Sequence, residues 1–138
     1  MTNRSMSEIL RRQVPLILPP EAAVREACAA MATRGVGAVL VVRGGRLAGI
    51  FTGRDAVRVL ADGVDPATPL AEVMTRDPAT LGPTHTAIDA LRMMQDGGFR
   101  HVPVVRDGAV LGVVSRGDFR GLEQDRLEAE TLLWERIA

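Results

Sequence analysis

Two short strings in the sequence combine a hydroxyl group and a carboxylate at the same spacing. Thr52 is followed by Asp55, and Ser115 is followed by Asp118. Each string comes directly after a glycine and two apolar residues, which predicts a strand that ends where a helix begins. A carboxylate can accept two hydrogen bonds from a cis-diol such as ribose, and the start of a helix attracts a phosphate. The two strings are therefore suited to a nucleoside monophosphate.

The same strings also have a purely structural interpretation. A threonine or serine followed three residues later by an acidic residue forms a capping box, which closes the first turn of a helix. A single copy would favour capping alone. Two copies at corresponding places in the chain favour a binding role in addition to capping.

The chain contains an internal repeat with a period of 63 residues. Residues 18–55 align with residues 81–118 without a gap, and twelve of the 38 aligned positions are identical. Residues 7–10 also resemble residues 71–74, shifted by one residue. Two copies are too few for a solenoid, so we expect a pseudo-twofold pair in which each half covers the apolar face of the other.

The hydrophobic pattern predicts the same elements in both copies. Apolar residues at helical spacing end at Gly35 in the first copy and at Gly98 in the second, where a glycine is typical of a C-terminal cap. Valine-rich runs then predict paired strands joined by two-residue turns. We therefore predict an α+β protein built from two β-α-β-β-α repeats. The predicted strands are residues 16–18, 38–42, 47–51, 80–81, 102–105 and 110–114, and the last helix of each repeat is residues 55–61 or 118–125.

These patterns divide the chain into a first repeat, residues 7–66, a second repeat, residues 67–125, and an extension, residues 126–138. The extension has no counterpart in the first repeat. Its leucines, Trp134 and Ile137 are interspersed with charged residues, which predicts an amphipathic helix. Such a helix packs either on its own module or on another subunit, and the sequence favours neither outright.

The composition argues against several classes of site and partner. The 138 residues carry 17 basic and 17 acidic side chains, so there is no basic surplus for a nucleic acid. One cysteine rules out a disulfide within the chain, and two histidines are too few for most zinc sites, so we expect no metal. No apolar run is long enough to cross a membrane, and residues 1–10 lack a signal-peptide core. We expect a cytoplasmic protein without a membrane partner.

The two repeats resemble a tandem pair of CBS (cystathionine β-synthase) domains, known as a Bateman module. The resemblance covers roughly residues 7–125 and rests on the two hydroxyl–carboxylate strings, on residues 99–105 and on residues 73–78. It implies a disc-shaped module with a cleft between two small sheets, which usually forms a homodimer. It also implies a regulatory sensor with no obligatory cofactor, which binds AMP, ADP or ATP, or in some members NAD or S-adenosylmethionine. The effector protein that such a sensor regulates is not named by the sequence.

The resemblance also implies roles for individual residues. Asp55 and Asp118 would hold the ribose hydroxyls, with Thr52 and Ser115 beside the sugar or the phosphate. The other residues implied as ligand contacts are Thr80, Arg100, His101, Val102 and Pro103, together with Arg54 and Arg116 inside the two strings.

The two sites are not expected to be equal. Arg100 and His101 correspond, at the repeat offset, to Gly37 and Ala38, which carry no charge. A charge-assisted hydrogen bond to a phosphate is worth about 1.5–3 kcal/mol. We therefore expect the second-repeat site, at Asp118, to bind first and the first-repeat site to be weak or empty.

A structural or protein-interaction module with vestigial ligand sites also fits the sequence. The poorly charged first site and the amphipathic extension favour that alternative. An enzyme is not expected, because the sequence shows no pair of catalytic acids and no metal-ligand set.

Overall fold

Helices and strands alternate along the chain, and the predicted succession of a helix and a two-stranded hairpin occurs in both repeats. The computed structural model describes residues 3–11 and 13–119. Within these residues the predicted α+β class is confirmed. The elements are α1 (Met6–Ile9), β1 (Ile17–Leu18), α2 (Val24–Arg34), β2 (Ala38–Arg43), β3 (Arg46–Thr52), α3 (Gly53–Ala61), α4 (Leu70–Val73), β4 (Thr75–Arg76), α5 (Ala87–Gly97), β5 (His101–Arg106) and β6 (Ala109–Ser115), with a 3₁₀ turn at Arg116–Asp118.

Two predicted helices fall largely or wholly beyond the described residues. Of the helix predicted over residues 118–125, only the first two residues are described, and they belong to the end of the 3₁₀ turn and the residue after it. The amphipathic helix predicted over residues 126–138 lies outside the described residues.

The strands form one sheet, whereas the resemblance implied two small sheets. The order β1-β2-β3-β6-β5 places the hairpin β2–β3 beside the hairpin β5–β6, and β4 pairs with β3. The hairpins meet near their turns, where Arg46 pairs with Ala109. The backbone N–H of Leu47 also donates to the carbonyl of Gly108, at 3.1 Å. Beyond this seam an apolar layer holds the hairpins together, in which Val110 and Val113 of β6 pack against the buried Ala38, Leu40 and Ile50 of β2 and β3.

Local signals fix the ends of the helices and the turns. Both α2 and α5 end at a glycine in the left-handed conformation, with φ of 65° at Gly35 and 71° at Gly98. The first hairpin turn also places two residues at positive φ, 56° at Gly44 and 78° at Gly45, as the two-residue turn requires. These predictions are confirmed because they depend on backbone preferences of neighbouring residues.

Each repeat has its own core, completed by a segment that precedes the other repeat. Met6 of α1 is fully buried in the core of the second repeat, and Leu70 of α4 is fully buried in the core of the first. The N–H of Met6 donates to the carbonyl of His85 at 2.8 Å, and the N–H of Leu70 donates to that of Ala22 at 2.8 Å. This exchange of segments ties the two repeats together.

The first strands of the two repeats differ. Ile17–Leu18 pairs in parallel with β2, whereas Leu81 forms an isolated parallel bridge with Val104. The sequence did not predict β4, which pairs with Gly49 and Ile50 of β3. The strand matters because it brings Thr75 beside the carboxylate that follows β3.

Candidate functional site

A cavity of about 500 Å³ opens between the two repeats. It is bounded by the start of α3, by the chain around β4, and by the stretch from the end of α5 to the start of β5. Its volume falls in the range of small-molecule binding sites. The lining residues with polar, charged or aromatic side chains are Thr52, Arg54, Asp55, Arg58, Thr75, Asp77, Phe99, Arg100 and His101.

Asp55 is nearly buried at the base of this cavity, with 3% of its surface exposed. One carboxylate oxygen, Oδ2, accepts hydrogen bonds from the backbone N–H of Thr52 at 2.9 Å and from its hydroxyl at 3.1 Å. The bond from the N–H of Thr52, together with the N–H of Asp55 that donates to the hydroxyl of Thr52 at 3.4 Å, forms the capping box of α3. The structural interpretation of the string is therefore correct as far as it goes.

The other oxygen of Asp55 has different partners. Its Oδ1 accepts from Nη2 of Arg58 at 3.1 Å and lies 3.5 Å from the hydroxyl of Thr75. Arg58 lies one turn further along α3, and Thr75 comes from β4. The carboxylate thus caps its helix with one oxygen and directs the other toward groups that line the cavity.

Three guanidinium groups and two carboxylates belong to the cavity lining. Arg54 spans the two repeats, since its Nη1 donates to the carbonyl of Gly98 at 3.0 Å. Arg58 pairs with Asp55, and the exposed Arg100 stands at the opposite wall. The start of α3 adds its positive dipole end on the same side. The balance of charge favours a ligand that carries an anionic group.

His101 is half-buried beside the first repeat. A Cβ atom added at Gly37 would lie 3.1 Å from its Nε2, so a larger residue at that position would press on the imidazole. Burial lowers the pKa of His101 below its ordinary value, the Asp118 carboxylate opposes this shift, and Arg100 adds a smaller decrease. The imidazole is therefore predominantly neutral at pH 7.

Phe99 contributes an apolar surface to the cavity. The sequence assigned this residue to the module core, and its partly buried side chain does pack on the core of the second repeat. The ring also lies against Gly97, where an added Cβ would overlap it. Since Phe99 lines the cavity as well, its ring offers a surface on which a planar base can rest.

The structure brings together only part of the predicted site. Thr52, Arg54, Asp55, Arg100 and His101 line the cavity. The predicted residues that do not line it are Thr80, Val102, Pro103, Ser115, Arg116 and Asp118.

Two placements differ in kind from what the sequence predicted. The side chain of Val102 is fully buried in the core of the second repeat, so it does not reach the cavity. The sequence also grouped Arg100 and His101 with Asp118 alone. His101 does pair with Ser115 across β5 and β6, and Asp118 opposes the burial that lowers its pKa, but Arg100 and His101 also line the cavity that contains Asp55. The reason is the packing of the repeats, which sets the start of β5 against the first repeat.

Sequence reasoning missed several residues of the cavity wall. Arg58 carried a usable signal, because it stands three residues after Asp55 and thus on the same side of a helix. Thr75, Asp77 and Pro78 lie in residues 73–78, a stretch that supported the resemblance but was given no role at the site.

The second string forms the same hydrogen bonds to its carboxylate, but in the described residues it begins a 3₁₀ turn and not an α-helix. The N–H of Ser115 donates to Oδ2 of Asp118 at 2.7 Å, and its hydroxyl lies 3.2 Å from the same oxygen. Nη2 of Arg4 donates to the backbone carbonyl of Asp118 at 2.8 Å. Asp118 itself is half-buried.

Similarity to known proteins identifies the family of this chain. The sequence model of the CBS domain matches residues 6–62 and again residues 70–124. The chain belongs to the CBS-domain family. The CBS domain-containing protein YhcV of Bacillus subtilis is 34% identical over 115 residues, which cover 83% of this chain and 81% of YhcV. CBSCBSPB3 of Arabidopsis thaliana is 40% identical over 108 residues, which cover 76% of this chain but 19% of that longer protein.

Solved structures of CBS-domain proteins share the fold. The CBS domain protein PAE2072 from Pyrobaculum aerophilum, solved in complex with AMP, matches with a TM-score of 0.83 and 27% identity. The match covers 91% of this chain and 98% of PAE2072. The tandem CBS pair expected from the sequence is confirmed.

The described residues contain neither a metal-binding cluster nor a membrane-spanning helix. Within residues 3–11 and 13–119, no group of three His, Cys, Asp or Glu side chains is placed to hold a metal ion. Across the same residues, no helix has the length and apolar character needed to cross a bilayer.

Proposed function

We propose that the cavity at Asp55 binds an adenine nucleotide of the AMP, ADP and ATP class, and that this CBS pair is a regulatory sensor rather than an enzyme. One observation carries the proposal. A nearly buried carboxylate opens onto a cavity of about 500 Å³ whose lining also includes three guanidinium groups. The resemblance to PAE2072, which was solved with AMP, supports an adenosine ligand.

Each part of a nucleotide has a matching group in the cavity. Asp55 accepts the two hydroxyls of the ribose, as a carboxylate can. Arg54 and Arg100 meet the phosphate, with the start of α3 contributing its dipole. The ring of Phe99 faces the adenine. S-adenosylmethionine fits less well, because its sulfonium cation would lie near the guanidinium groups.

The proposed site is that of the first repeat, whereas the sequence favoured the second. Arg100 and His101 were the reason for that preference, and both line the cavity at Asp55. Asp118 and Ser115 are kept as the corresponding, weaker candidate in the second repeat, because they form the same hydrogen bonds as Asp55 and Thr52.

A ligand in this cavity contacts both repeats and so favours one relative arrangement of the two. A partner can detect this change in arrangement only at the protein surface, and α3 presents exposed apolar side chains there. Val57 and Leu60 of α3 have 68% and 83% of their surfaces exposed. We propose that this apolar surface takes part in a homodimer or in contact with an effector protein. Cytoplasmic location stays a prediction from the sequence.

Two observations favour the vestigial-site alternative. All the hydrogen bonds that Asp55 accepts come from within the chain, and the exposed apolar pair on α3 would serve a purely interacting module equally well. Ligand binding therefore has to be measured directly, with a control for the capping role of Asp55.

A matched pair of variants provides that control. Asp89 forms the same capping box with Thr86 at the start of α5, with an N–H to Oδ2 distance of 2.9 Å, but it does not line the cavity. Asp89→Asn should lower the free energy of unfolding by roughly 1 kcal/mol, and Asp55→Asn should lower it further because its nearly buried carboxylate also pairs with Arg58. Only Asp55→Asn should weaken AMP binding measured by calorimetry, by roughly 10- to 100-fold.

Two outcomes would contradict the proposal. If AMP, ADP and ATP neither release heat nor raise the melting temperature of the wild-type protein at millimolar concentration, the vestigial-site alternative is correct. If ATP is hydrolysed above background and Asp55→Asn abolishes the turnover, the non-enzymatic role is wrong.

A further inference from the structure

The hydrogen-bonding capacity of the Asp55 carboxylate is already taken up within the chain. An ionised carboxylate accepts about four hydrogen bonds. Asp55 has four contacts, two on Oδ2 from Thr52, and two on Oδ1 from Arg58 at 3.1 Å and from Thr75 at 3.5 Å. A ribose diol that binds this carboxylate must therefore displace partners that are already in place.

The two contacts on Oδ1 are the ones that can be given up. The Thr52 contacts hold the first turn of α3, and their loss would uncap the helix. The Thr75 contact is long for a hydrogen bond between oxygens. The side chain of Arg58 is 58% exposed, so its guanidinium can turn away from Asp55 into solvent. The ribose hydroxyls then replace its hydrogen bond, so that the nearly buried carboxylate is not left without a partner.

Arg58 does not leave the site when it turns away. It belongs to the cavity lining, so a displaced guanidinium stays within reach of a ligand bound there. A phosphate accepts paired hydrogen bonds from guanidinium and would replace the lost carboxylate partner. A nucleoside without a phosphate offers no such replacement.

We propose that Arg58 makes the cavity selective for phosphorylated nucleosides, by exchanging its partner from Asp55 to the ligand phosphate. This inference rests on the proposed function, since it assumes that the ribose binds Asp55. It is confined to the first repeat, because the position equivalent to Arg58 at the repeat offset is Gly121, which has no side chain to exchange.

If Arg58 exchanges partners in this way, replacing it should change the affinities for adenosine and for AMP in opposite directions. In Arg58→Gln the competition for Asp55 is weaker, so adenosine should bind roughly two- to fivefold more tightly than to the wild type. AMP should bind about fivefold more weakly, because the charged partner of its phosphate is lost. The preference for AMP over adenosine should fall by at least about tenfold. Arg58→Lys keeps a cation and should retain most of that preference.

The test is calorimetric titration of the full-length protein with adenosine and with AMP. Arg25→Gln, on the exposed side of α2, is the control for loss of one positive charge and should change neither affinity. Circular dichroism checks that each variant is folded, and the ratio of the two affinities cancels any general loss of folded protein.

The possible results are distinguishable. Opposite changes for adenosine and AMP in Arg58→Gln support the exchange. Parallel changes in the two affinities, or no change, overturn it and leave the proposed function intact. If neither ligand binds the wild-type protein, the proposed function fails and the exchange fails with it.

Discussion

The two hydroxyl–carboxylate strings form the same hydrogen bonds in different surroundings. In both, the N–H of the hydroxyl residue donates to the carboxylate three residues later, at 2.9 Å for Thr52 and Asp55 and at 2.7 Å for Ser115 and Asp118. Asp55 has 3% of its surface exposed and also contacts Arg58, whereas Asp118 is half-buried.

The difference separates what a capping box does from what a binding site needs. A third capping box, at Thr86 and Asp89, starts α5 without lining the cavity. The box is therefore a general way to begin a helix in this fold. A binding role at Asp55 depends on the second carboxylate oxygen and on the side chains that other segments bring beside it.

The largest loss of stability should come from substitutions in α1 and α4, the segments that each complete the core of the other repeat. The two repeats should respond alike. Met6→Ala would leave a cavity in the core of the second repeat, and Leu70→Ala would leave one in the core of the first, because both side chains are fully buried. Each should lower the free energy of unfolding by about 2–5 kcal/mol, measured by urea denaturation. If Met6→Ala costs far less than Leu70→Ala, the first segment does not support the second repeat as the fold indicates.

A smaller effect, on AMP affinity, should show whether Arg100 binds the same ligand as Asp55 or the same ligand as Asp118. Arg100→Gln should weaken AMP binding about tenfold and leave adenosine binding unchanged, because the lost contact is to the phosphate. The same tenfold loss should appear in an Asp118→Asn background, since Arg100 lines the cavity at Asp55. Loss of AMP binding in Asp118→Asn alone would instead restore the grouping that the sequence predicted.

The smallest effect should be a pH dependence at His101, which lines the cavity and interacts with Asp118 and Arg100. Because burial lowers its pKa, the unfolded chain binds a proton more readily than the folded protein below about pH 6.5. This contribution to stability is present above pH 6.5 and is lost as the pH falls through the lowered pKa. The melting temperature of the wild type should therefore fall more between pH 7.5 and 5.5 than that of His101→Gln. Equal decreases would show that His101 titrates as it does in the unfolded chain.

Much of the fold could be read from the sequence. The repeat period, the glycines that end α2 and α5, the hairpin turns and the capping boxes all follow from residues close together in the chain. The strand β4 could not, since two residues carry too little pattern to predict pairing.

The site was predicted less completely, and the missing parts share a cause. The sequence located both carboxylates and the Arg100–His101 pair, but it related that pair only to Asp118 and did not predict that the pair also lines the cavity at Asp55. Pairing across the repeats was not visible, because no local pattern reports which of two similar surfaces a segment will face.

By itself, the sequence determined that this chain contains two similar α+β repeats and where each capping carboxylate stands, because backbone preferences and periodicity act over a few neighbouring residues. The tertiary structure decided which carboxylate lies beside a cavity and which cations accompany it. Contacts such as Arg54 with Gly98 join residues 44 positions apart, so they exist only once the two repeats have packed together.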